Sequence, residues 1–113
     1  MECNAAWKRI GLKLAFLDFS GRACADGVLV TATITSRSAW RTAVGLQVGD
    51  SVARLGLLYP RASLHRSAPP WTGYWLVTRR TCAEVGSLPY PGLLARARNG
   101  RVTALVAGTA PCD

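Results

Sequence analysis

The chain is poor in acid. Its 113 residues hold four aspartates and two glutamates against 14 lysines and arginines, for a formal charge of +8. It has one histidine, His65, and two lysines, so twelve of the cations are arginine. No cysteine pair forms a CxxC, no GxxxxGK[ST] loop occurs, and no apolar run approaches 18 residues. Each absence excludes a class. Acid–base chemistry has only Glu2, Asp18, Asp26, Asp50, Glu84 and Asp113 to draw on, and none proposes a dyad. Gly49-Asp50-Ser51 invites a reading as a nucleophile site, but a serine needs a base that is itself oriented by a partner. The one imidazole reads as an exposed loop residue with no evident acidic partner. The four cysteines and one histidine lack the close ligand pairs of a metal site. No segment is long enough to span a membrane as a helix. The expectation is a protein that is not an enzyme and carries no metal or cofactor.

What is present is a foldable, half-hydrophobic chain with 18% charged residues. Cys3, Cys24, Cys82 and Cys112 are widely spaced and even in number. That pattern reads as two disulfides in an extracytoplasmic, secreted or envelope location. The alternative is four buried thiols in a reducing compartment. The start Met1-Glu2-Cys3-Asn4 has no basic and apolar leader, so the signal is expected to have been removed or to belong to a longer parent chain.

Single-domain organisation is expected, with a three-strand meander over 1–36, a helical segment over 37–62 and a three-strand sheet over 63–113. Leu12, Leu14 and Phe16 alternate with Lys13 and Ala15. Val28, Val30, Ala32 and Ile34 alternate with a threonine-rich set. Residues 8–11 form the first turn, which sets Cys3 opposite Phe16 and lets Cys3 approach Cys24. Residues 41–44 suggest one helical turn ended by Gly45. Asp50 then reads as the N-cap of a helix over 51–59, with Val52, Leu55 and Leu58 on its inner face and Val48 as a staple. Pro60 stops it. Residues 65–72 and 81–91 read as loops around a strand at 74–79. Asn99-Gly100 is a type I′ hairpin signal. An unbroken register from it pairs Arg98 with Arg101 and Leu93 with Val106, and puts Leu93, Ala95, Ala97, Val102, Ala104 and Val106 on one face. Cys112 then returns toward Cys82, giving Cys82–Cys112 as the second pairing. The fold class is α+β, an antiparallel sheet of about six strands with one short central helix on one face.

Trp7, Trp40, Trp71 and Trp75 are many for this length. They read either as core packing or as a binding surface, since tryptophan and arginine are enriched at interface hot spots. The candidate surface comprises Trp71, Trp75, Arg79, Arg96, Arg98 and Arg101. For the hairpin arginines, Arg96, Arg98 and Arg101, simple solubility charge is the favoured reading. Positive charge favours a protein or an acidic polymer as partner. A basic nucleic-acid or anionic-polymer binder is the alternative function, although no run of more than two arginines marks a nucleic-acid groove.

The run Trp40 to Ser51, Leu58-Tyr59-Pro60, Tyr74 to Val77 and Gly100 to Leu105 resemble a group of small secreted bacterial proteins of unknown function. Their module is similar to the helix–loop–helix and four-strand unit of β-lactamase inhibitor protein and the BamE/SmpA-type lipoproteins. The resemblance covers about residues 40–108 and implies binding of proteins through the sheet face and loops. It does not extend to a lipobox, to helices in the first unit or to inhibitory residues.

Overall fold

A computed structural model describes residues 2–17, 28–37, 40–66, 71–81 and 88–109. Seven strands form one antiparallel sheet: β1 Glu2–Trp7, β2 Leu12–Leu17, β3 Val28–Ile34, β4 Ser63–His65, β5 Gly73–Arg80, β6 Pro89–Arg98 and β7 Arg101–Gly108. Their order is β1-β2-β3-β7-β6-β5-β4, and the one helix among the described residues, α1, spans Val52–Leu58. The described residues are therefore mainly antiparallel β with a single helix. Two meanders, β1–β3 and β4–β7, meet where β3 pairs with β7. Because β3 and β4 lie four antiparallel steps apart, they run parallel. Parallel strands need a crossover, and residues 35–62 supply it, carrying α1.

The periodic segments form as expected. In the first meander Trp7 faces Leu12 and Cys3 faces Phe16. Asn99 and Gly100 both have positive φ, 53° and 76°, as a type I′ turn requires. Leu55 of α1 is 2% exposed and packs with Leu46, Val48, Ala95, Val102 and Leu105, while Leu58 packs at the margin.

Several details differ. Among the described residues there are seven strands rather than about six, and the sheet over 63–113 has four rather than three. The extra strand, β4, lies at the edge of the expected 65–72 loop and has three residues, too few for a periodicity to register. It forms because Ser63, Leu64 and His65 pair with Trp75, Tyr74 and Gly73. Residues 89–91, expected as loop, begin β6. The prolines fit there because β7 begins pairing only at Leu93, so the missing amide of Pro89 or Pro91 interrupts no β6–β7 ladder. The hairpin register holds for Arg98–Arg101 and Ala97–Val102, then shifts, with Arg96 opposite Ala104 and Leu94 opposite Val106. Thr103 is the extra residue of a bulge. The face expected to be continuous is split in two: Val102 joins Leu105 under the helix, and Val106 joins Leu94 on the other side.

Residues 42–45 close a turn rather than a helical turn. The Gly45 amide donates to the Thr42 carbonyl at 2.9 Å, and the Leu46 amide donates to Thr42 Oγ1 at 3.1 Å. The N-cap is Ser51, whose Oγ accepts from the Arg54 amide at 3.1 Å. Asp50 is 8% exposed and organises the preceding loop instead. Its carboxylate accepts from the Gln47 amide at 2.9 Å, Arg37 Nη1 at 2.8 Å and Arg54 Nε at 3.3 Å. The Arg37 hydrogen bond, with help from Gln47, holds its pKa below the usual carboxylate range against the opposing effect of burial. This clasp presents residues 49–52 to the hairpin end of β7. The amide of Gly49 donates to Val102, that of Val102 to Asp50 and that of Val52 to Gly100, at 2.7–2.9 Å. One edge of β7 is thus shared between this strap and β3. Cys24, Cys82 and Cys112 lie outside the described residues, and with them the expected pairings.

Candidate binding surface

The helix-free face of the second meander carries a second apolar cluster of Trp75, Leu94 and Val106, with Trp71 packed against it. Trp75 is 8% exposed. Its indole N–H donates to the Trp71 carbonyl at 2.9 Å, which fixes the loop residue to the strand. The Trp71 ring lies over Gly108, where a Cβ would come within 3.2 Å of it. The absence of a side chain at Gly108 thus makes room for the indole. On the other flank His65 stacks on Trp75, with ring centroids 3.8 Å apart and planes 14° from parallel. Alternation along β6 puts Arg96 on the same face as Leu94.

The residues expected to form one surface separate into two groups and the lone Arg79. Trp71, Trp75 and Arg96 share this face, with Trp71 and Arg96 half-buried. Arg79 is exposed and its side chain lies against Gly92 of β6. Arg98 and Arg101 pair at the hairpin end. Arg101 Nη1 donates to the Gly49 carbonyl at 3.0 Å, and Arg98 lines an open groove of ≈ 440 Å³ with Val52, Leu64 and Tyr74. Those two arginines therefore serve the helix side.

His65 was expected as an exposed loop residue. It is instead a half-buried member of β4, with Nε2 2.9 Å from Ser63 Oγ. The signal was present in Ser63-Leu64-His65, which puts the two polar side chains on one face of any strand. Chemically this contact is half of a nucleophile–base arrangement. Among the described residues no carboxylate contacts His65, and Asp50 is engaged by Arg37 and Arg54. Among the described residues, no three His, Cys, Asp or Glu side chains come together as metal ligands. No described helix is long and apolar enough to cross a membrane. No protein-family model, curated protein or solved structure matches the chain.

Proposed function

We propose that the protein is a non-enzymatic binding module of the cell envelope or extracellular space, recognising the acidic surface of a protein or polymer. One observation carries the reading: an aromatic shelf of His65, Trp75 and Trp71, bordered by Arg96, on a sheet face that no described helix covers. Rigid aromatic area beside arginine is the composition of interface hot spots. A chain charge of +8 draws acidic partners toward it. Support for the extracytoplasmic setting comes from Cys3, which is disulfide-bonded. We propose Cys3–Cys24 and Cys82–Cys112 as the pairings. The order of one helix followed by a four-strand meander also suits the β-lactamase inhibitor protein and BamE/SmpA-type module, although its first helix is a turn here.

The test is binding of the full chain to immobilised poly-glutamate and to duplex DNA at about 50 mM and 150 mM salt. Retained poly-glutamate binding at the higher salt, weakened about tenfold or more by Trp71→Ala, is expected for a hot-spot residue. DNA binding that survives the higher salt selects the nucleic-acid alternative. A thiol assay on protein from an oxidising compartment tests the setting, and four reactive thiols in the native state overturn it.

A further inference from the structure

Among the described residues, the helix side of the sheet is only partly covered. Leu55 of α1 and Leu46 and Val48 of the strap pack over Ala95, Val102 and Leu105. Beyond them lies a cavity of ≈ 230 Å³ between the sheet and the segment 40–42. Its floor is apolar, including Leu12, Ile34, Leu105 and Ala107, and Trp40 forms one wall while remaining 48% exposed. Two polar residues reach the lining, Arg41 and Thr42. The Thr42 hydroxyl and amide are both used in the turn, the first accepting from the Leu46 amide and the second donating to the Leu46 carbonyl. Arg41 is exposed and makes no hydrogen bond or ion pair among the described residues. The cavity is therefore lined almost wholly by apolar surface, with the exposed Arg41 at its edge.

We propose that this cavity is a binding site for a small amphipathic carboxylate: one aromatic ring on a short chain, with the ring among Leu12, Ile34 and Leu105 and the acid on Arg41. Size sets the body of the ligand. An apolar cavity of about 150 Å³ accepts benzene, and drug-sized pockets begin near about 300 Å³. A volume of ≈ 230 Å³ falls between them. Chemistry sets the head. The guanidinium forks onto a carboxylate through two parallel N–H···O bonds, and the other polar side chain of the lining, Thr42, already accepts from the Leu46 amide. Trp40 adds an aromatic wall for edge-to-face contact. The site lies on the opposite face from the aromatic shelf and does not rest on the function proposed for that shelf.

The experiment titrates the full chain with 3-phenylpropanoate and its neutral analogue 3-phenylpropan-1-ol, following heat and tryptophan fluorescence. The acid is expected to bind about tenfold more tightly, the gain of a charge-assisted hydrogen bond. Arg41→Gln should erase that difference and leave the alcohol unchanged. Ala107→Phe fills the cavity and should weaken both ligands at least tenfold. If that variant does not fold, Arg41→Gln, at an exposed side chain, decides alone. Absence of binding by either ligand at millimolar concentration overturns the proposal. So does equal binding of acid and alcohol to the unaltered protein, or acid binding that Arg41→Gln leaves intact.

Discussion

The two meanders of the sheet share a pattern and differ in what covers them. β1–β3 carry an alternating pattern as the second meander does, yet among the described residues only Ala15 of the eleven buried hydrophobics lies in the first meander. The other ten lie between Leu46 and Val106. The second meander is covered on one side by α1 and its strap. On the other, the loop residue Trp71 packs inward over Trp75, Leu94 and Val106. Alternation makes a strand two-faced, but burial needs a second layer. A seven-residue helix cannot cover seven strands, and the apolar floor of the Trp40–Arg41 cavity lies where that cover ends.

The largest expected effect tests this contrast directly. Leu55→Ala should lower the unfolding free energy by about 2–4 kcal/mol, as for other fully buried leucines. Leu14→Ala, at a half-buried position in β2, should cost about 1 kcal/mol or less, because fewer contacts are lost when less area is buried. Chemical denaturation of both variants measures the difference. Equal losses would mean that the first meander is as well packed as the second.

Next in size is Asp50, which holds the strap in place. Asp50→Ala leaves the Gln47 amide without its acceptor and should cost about 1–3 kcal/mol. Its pH dependence has a definite sign. A carboxyl whose folded pKa is lowered stabilises the native state fully above its unfolded pKa of about 3.9. That stabilisation is lost as pH falls below this value and through the lower folded pKa. Asp50→Asn should therefore lose less stability on acidification below about pH 4 than the unaltered protein. A parallel decline for both would show that Asp50 contributes nothing to acid unfolding. Smaller again is Gly100→Ala, which places a Cβ at φ 76° and should cost about 1–2 kcal/mol. A melting curve that does not move would place the turn outside the cooperative unit.

What could be read in the sequence was what is local and periodic. Leu12, Leu14 and Phe16, the Val52–Leu55–Leu58 spacing and Asn99-Gly100 each encode their conformation within a few residues. What escaped depends on a partner distant in the chain. Ser63 to His65 become a strand because Gly73 to Trp75 present an edge to them. Asp50 and Ser51 were both good caps by type, and Arg37, 13 residues away, drew Asp50 into the loop and left the cap to Ser51. The grouping of the candidate residues was half legible for the same reason. Trp71 and Trp75 are four residues apart and pack together, but Arg98 and Arg101 serve the helix side.

The smallest effect bears on the bulge, which the alternating pattern hid. With Arg96 opposite Ala104 and Ala97 opposite Val102, Thr103 is the surplus residue. Its removal joins Val102 to Ala104 without changing any β6–β7 partner. The deletion forfeits one 3.3 Å hydrogen bond from Thr103 Oγ1 to the Arg96 carbonyl, at an exposed position, and should cost on the order of 1 kcal/mol. In an unbulged ladder the same deletion would slide every later residue of β7 by one and turn Leu105 and Val106 to the wrong faces. That would be a far larger loss, because both clusters would be broken at once. A Thr103 deletion that folds with nearly native stability thus distinguishes the two registers, and one that unfolds the chain restores the unbulged hairpin.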